Sequence, residues 1–160
     1  MKRLAWLSGV FFLCAFFVGC ASDAYSGKIS DTILKIEGAA SEIDLIRAKV
    51  DDAVKRADAG EAFDLKEAIE QTKKLQDTAK ATQKLKGEIE AVKAKITDED
   101  RQKNADEFRS KLNDAFTTLL KRRDELRKSL EAAEKHGKGT VKELRDKITE
   151  AEGPFESLAR

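Results

Sequence analysis

The chain has 160 residues, with 31 Lys and Arg balanced by 30 Asp and Glu, a single Pro, a single His and two Cys. That length fits one modest domain. A formal net charge of +1 supplies no global field to draw in nucleic acid or an anionic membrane surface, so electrostatics names no partner.

Composition is uneven along the chain. Lys2 and Arg3 precede Leu4 to Gly19, sixteen residues without a charge that include Trp6, Phe11, Phe12, Phe16 and Phe17. This is the layout of a secretory signal. A membrane-spanning helix needs about 20 apolar residues, so a cleaved signal is the first reading and an uncleaved anchor the second.

The run closes in Phe17-Val18-Gly19-Cys20, which resembles the lipobox of bacterial lipoproteins. In that family a small residue precedes a Cys whose thiol accepts diacylglycerol before cleavage. Val18 and Gly19 suit their positions, whereas Phe17 departs from the usual Leu. The resemblance covers only the first twenty or so residues. It implies a signal peptide over 1–19, cleavage between Gly19 and Cys20, and attachment to a membrane through an acyl-modified Cys20, with 20–28 as a tether. A single acyl chain anchors marginally and two or more hold stably. Ala21 and Ser22 lack the Asp that favours inner-membrane retention in that family. The resemblance therefore implies the outer membrane of a bacterial envelope, with the body facing the periplasm or the surface. Ordinary signal peptidase sites at Gly19-Cys20-Ala21 or Ser22-Asp23-Ala24 are the alternative, giving a free secreted protein. Cleavage before Cys20 leaves one Cys, and hence no intrachain disulfide despite an oxidising destination.

From residue 29 onward the charge-rich chain is periodic. Ile29, Ile33, Ile36, Ala40, Ile43, Arg47, Val50, Val54 and Ala57 alternate spacings of four and three, a coiled-coil stripe. Gly60 closes this helix as a C′ glycine. Asp64, with Glu67 three residues on, reads as a capping box for a second stripe that runs Leu65, Ala68 or Ile69, Thr72, Leu75, Ala79, Thr82, Leu85, Ile89, Val92, Ile96. Thr97 and Asp100 cap a third, carrying Ala105, Phe108, Leu112, Ala115 or Phe116, Leu119, Arg122, Leu126, Leu130 and Ala133. Near His136-Gly137-Lys138-Gly139 it stops. Thr140 and Glu143 then open Val141, Leu144, Ile148 and Ala151, and Gly153-Pro154 closes that piece.

The predicted architecture is all-α, with a helical domain over 29–160. It is an elongated antiparallel three-helix bundle or coiled coil with helices at 29–58, 63–96 and 98–136 and a short fourth C-terminal helix. At 1.5 Å per residue the long helices span roughly 45 to 60 Å. The joint at Ile96 to Asp100 has no Gly or Pro, so a continuous rod pairing with another copy in a homo-oligomer satisfies the same periodicity. The core is thin, because Ala and Thr fill many stripe positions. Arg47 and Arg122 occupy core positions, either setting register or snorkelling to solvent.

Catalytic chemistry lacks its residues. His136 is the only His, and Cys20 the only Cys left after processing, so neither a His/Cys metal set nor a Ser–His or Cys–His dyad can be built. His136 near a helix C-terminus is a favourable partner for the dipole. Gly137-Lys138-Gly139-Thr140 departs from a phosphate-binding loop, because Gly139 separates Lys from Thr and Ala132 stands where the earlier Gly is needed. Asp98-Glu99-Asp100 lacks the spaced oxygen ligands of a calcium loop and suits a helix N-terminus. Lys121, Arg122, Arg123, Arg127 and Lys128 form the densest basic stretch, a solvated face or a surface for lipid head groups or an acidic partner. No cofactor, metal or nucleic acid is expected. The first functional reading is a non-enzymatic, lipid-anchored scaffold, spacer or docking surface for an envelope protein. The alternative is a carrier or chaperone-like binder that opens to offer Phe63, Phe108 and Phe116 to apolar ligands or unfolded clients.

Overall fold

The computed structural model describes the backbone of residues 4–156 and the side chains of residues 21–155. Its described residues form three helices, α1 (Leu4–Asp58), α2 (Lys66–Lys93) and α3 (Asp98–Glu156), with no strand. Helix α1 continues through residues 20–28 rather than starting at 29. Tyr25, four residues before Ile29, is buried, so the apolar stripe extends one turn further toward the N-terminus than aliphatic residues alone indicate.

The end of α1 follows from Gly60. Its φ of 90° lies in the left-handed region that glycine enters without a Cβ penalty. The Gly60 N–H donates to the Ala57 carbonyl and the Glu61 N–H to the Arg56 carbonyl, both at 3.0 Å. Together these bonds are the Schellman pattern that satisfies the last carbonyls of a helix. Helix α2 begins at Lys66, not 63, and Asp64 Oδ1 accepts from the Lys66 N–H at 2.8 Å. The expected partner Glu67 instead meets Lys49 Nζ at 2.7 Å, tying the start of α2 to α1. Helix α2 ends at Lys93 rather than 96, and the turn after it carries Ile96 inward, where it is buried. The Thr97 cap forms as expected, with the Asp100 N–H donating to Thr97 Oγ1 at 3.1 Å and Thr97 Oγ1 donating to Asp100 Oδ2 at 2.8 Å.

Cross-helix pairs fix the directions. Lys49 pairs with Glu67 and Lys28 with Glu88, so α2 runs antiparallel to α1. Ser22 neighbours Asn104, Arg47 pairs with Glu125, and Asp58 with Lys135, at nearly constant separation in sequence, so α3 runs parallel to α1. The continuous-rod alternative is thereby excluded within this chain, whose three helices pack on one another. One core cluster extends from Ile33 to Phe155. The threonines buried beside it cost little: the hydroxyls of Thr32, Thr72 and Thr82 donate to carbonyls of their own helix, Lys28, Ile69 and Thr78, at 2.6 to 2.8 Å. A buried hydroxyl so satisfied avoids the penalty of an unpaired one.

No separate fourth helix is delimited, because α3 spans Asp98 to Glu156 with a single non-helical residue, Gly137 (φ −175°, ψ 83°). The chain turns back there. Arg145 Nη2 lies 2.8 Å from Glu134 Oε1, although eleven residues of straight helix would separate them by roughly 16 Å. We call residues 138–156 the arm. Its Val141, Leu144, Ile148, Ala151 and Phe155 are buried. Contrary to the sequence expectation, Gly153-Pro154 does not end the helix, which runs to Glu156. Pro154 offers no donor to the Glu150 carbonyl, but Glu150 is exposed to water and Phe155 anchors the turn beyond.

The turn requires glycine for lack of space, not for its dihedrals. A Cβ at position 137 would come within 2.9 Å of Phe63 Cδ1, and the Phe63 ring is itself stacked on His136 with centroids 5.5 Å apart. Gly137→Ala is expected to destabilise the fold by about 1–3 kcal/mol through overpacking, measured by urea denaturation. Adding Phe63→Leu should recover part of that loss, and a Gly137→Ala chain of unchanged stability would contradict this account.

Candidate functional site

The Cys20 side chain, at the expected cleavage and lipidation site Gly19-Cys20, lies outside the described residues. Just beyond them, Ser22 Oγ is 3.5 Å from Asn104 Nδ2, and Asn104 Nδ2 also donates to the Asp100 carbonyl at 2.7 Å. The chain thus leaves residue 20 at the end of the bundle where α2 passes into α3.

The basic stretch on α3 does not form one surface. Arg122 turns toward α1, where its Nε lies 3.0 Å from Asp44 Oδ2. Arg123 and Arg127 line a cleft against the arm, and Arg127 also lies 4.0 Å from Asp124 and 3.9 Å from Glu131. Lys121 and Lys128 are exposed and, being seven residues apart, share a third side of the helix.

Arg122 belongs to a four-residue ionic layer. Arg47 on α1 pairs with Glu125 on α3 and lies 3.2 Å from Asp44. Arg122 on α3 pairs with Asp44 on α1 and lies 3.1 Å from Glu125. All four side chains retain between 28% and 34% of their exposure, so the layer sits at the edge of the core with access to water. The sequence expectation identified both arginines but not their partners. The signal was present: Asp44-x-x-Arg47 and Arg122-x-x-Glu125 place opposite charges in reversed order at equal spacing, as two parallel helices need if each level is to hold a matched pair.

At the other end of the bundle, His136 Nε2 and Lys135 Nζ approach Asp58 Oδ1 at 3.1 and 2.9 Å. Lys135's hydrogen bond and, in smaller measure, the charges of Lys135 and His136 hold the Asp58 carboxyl below its ordinary range against the opposing effect of partial burial. Phe63 is taken up by His136 there, and so stands apart from the other two phenylalanines named for an apolar site.

Phe108 and Phe116 do converge. With Tyr25, Ile29, Ile89 and Leu112 they line a groove of about 620 Å³ in the half of the bundle nearest residue 20. Arg109, Lys86 and Glu90 line it as well. The groove combines an apolar wall and a few polar groups, a composition suited to a binding site. Among the described residues no group of three His, Cys, Asp or Glu is placed to hold a metal ion, and no helix is long and apolar enough to cross a membrane. No protein-family model, curated protein or solved structure matches the chain.

The ionic layer makes stability depend on pH. The Glu125 carboxyl is held below its ordinary value of 4.5, first by the Arg122 hydrogen bond and then by the Arg47 charge, with partial burial opposing. A carboxyl depressed by folding contributes stability that is full above its unfolded pKa and lost as pH falls through its folded one. The melting temperature should therefore hold between pH 7 and 5 and decline below about 4.5. Glu125→Gln should lower it at pH 7 and shallow the acid decline, leaving the slope due to Asp58, Glu67 and Glu88, which are depressed in the same sense. Parallel melting profiles for the two proteins would exclude this role.

Proposed function

We propose that the chain is a non-enzymatic, lipid-anchored helical protein of the bacterial cell envelope that acts as a scaffold, spacer or docking surface for an envelope protein. The observation that carries this reading is Phe17-Val18-Gly19-Cys20 at the close of a sixteen-residue uncharged run behind Lys2 and Arg3. Its support from the fold is positional: a helical body follows directly, and its groove lies at the end nearest residue 20. Ala21 and Ser22 make the outer membrane the preferred address. In this reading the arm is a short fourth helix, supported by the break at Gly137 and by the return of Arg145 to Glu134.

A second reading, a carrier of apolar ligands, is favoured by the groove beside Phe108 and Phe116. Phe63 drops out of it, being stacked on His136. Ligand bound to the folded state alone would raise the melting temperature by mass action.

The test of the first reading is incorporation of labelled palmitate in a bacterial host by the wild type and by Cys20→Ser, followed by membrane fractionation. Label and membrane association should both vanish with Cys20. A wild type that takes up no label, or a Cys20→Ser chain that keeps it, would refute lipid anchoring at this residue.

A further inference from the structure

Helix α3 carries the same docking pattern twice. The arm packs beside Arg123, Leu126 and Leu130, which line a cleft whose other wall is the arm's Ile148 and Glu152. Fourteen residues earlier stand Arg109, Leu112 and Phe116, with identical spacings of three and four, and they line the open groove. Fourteen residues are two heptads, so in a left-handed bundle the two triplets face the same side of α3, displaced by roughly 21 Å. Between them lies Leu120, 47% exposed, four residues after Phe116 and three before Arg123. One seat holds a helix of this chain, and the other is its continuation along the same face.

Charge extends the parallel. Beside the arm, Glu152 lines the same cleft as Arg123 and Arg127. At the open seat Arg109 is exposed and engages no described residue. We propose that the groove is a second helix seat that binds an amphipathic helix of a partner protein, antiparallel to α3. That helix would place an apolar residue against Leu112 and Phe116 and a carboxylate four residues on against Arg109, as Ile148 and Glu152 do in the arm. The arm of a second copy is the poorer occupant, because Val141 and Leu144 are fully buried at home and would have to be exposed first. A free acyl chain would use the apolar wall but has no counterpart to the repeated Arg-x-x-Leu-x-x-x-apolar register.

The proposal deepens the docking reading but is independent of lipidation, so a failed palmitate label and a failed helix-binding assay are separate results. The probe is a fluorescein-labelled peptide of residues 138–156, which carries the pattern. It is titrated by fluorescence anisotropy against the full chain. Saturable binding is expected, weakened about tenfold or more by Arg109→Glu and by Phe116→Asp, as for central contacts of an interface. A peptide bearing Glu152→Arg should regain affinity for the Arg109→Glu chain. Arg109 is exposed, so that variant should melt like the wild type and serves as the control if Phe116→Asp fails to fold. Absence of saturable binding, or binding indifferent to Arg109→Glu, would overturn the proposal. Self-association of the chain abolished by Phe116→Asp would assign the seat to a second copy instead. Binding of palmitate but not of the peptide would assign it to lipid, and both results overturn the helix-partner assignment.

Discussion

The alignment of α1 with α3 rests on the ionic layer of Asp44, Arg47, Arg122 and Glu125. A heptad stripe of Ile, Leu and Ala is nearly indifferent to a slip of seven residues, since apolar positions meet apolar positions again. A charge layer is not indifferent. After such a slip Asp44 would stand level with Ser129 or Ala115, Arg47 with Ala132 or Thr118 and Glu125 with Ala40 or Val54, so that only Arg122 would meet an acid, Glu37 or Asp51, and an unpaired charge removed from water is among the costliest defects a fold can carry. The layer therefore acts chiefly by penalising wrong alignments. Its net contribution to the correct one is reduced by the desolvation of the same groups.

With that alignment fixed, the thin core becomes workable. Ala39, Ala40, Ala53, Ala68, Ala79, Ala115 and Ala133 are buried, and small side chains let helix backbones approach closely, although each removes little apolar area from water. The threonines fit the same scheme, because a hydroxyl bonded to its own helix asks nothing of the neighbouring one. Larger residues concentrate where the arm adds a layer. There Leu126, Leu144 and Val141 are almost entirely enclosed, while the opposite half, without the arm, keeps a groove beside Phe108 and Phe116.

Much of this was legible in the sequence because helical periodicity survives substitution of Leu by Ala or Thr. The three stripes, Gly60 and the Thr97–Asp100 cap were all readable from spacing and local chemistry. Element ends governed by tertiary contacts were not. Asp64 and Glu67 looked like a reciprocal box, but Lys49 on another helix claimed Glu67. Pro154 looked like a terminator, but a buried Phe155 holds the turn past it. The groove was invisible for a related reason: Phe116 and Leu112 lie in the pattern that elsewhere marks core, and only the course of the arm distinguishes a covered stretch of that face from an open one. The resemblance at Cys20 lies outside what the described side chains address.

The connectivity also bears on how such a chain acquires its structure. Helices α1 and α2 are joined by a short turn, and their first contacts, such as Lys49 with Glu67, close a loop of 18 residues. Arg47 and Glu125 are 78 apart, and contacts that distant in sequence form only after a larger loss of chain entropy. The α1–α2 hairpin can thus assemble locally, whereas α3 must search for its level along it. The arm, hinged at Gly137, then needs to close only the loop between Glu134 and Arg145, 11 residues, onto a face that is already in place. Local pairing, long-range alignment and arm closure consequently form an order of decreasing independence, in which the ionic layer is the slow commitment and the arm the quick seal.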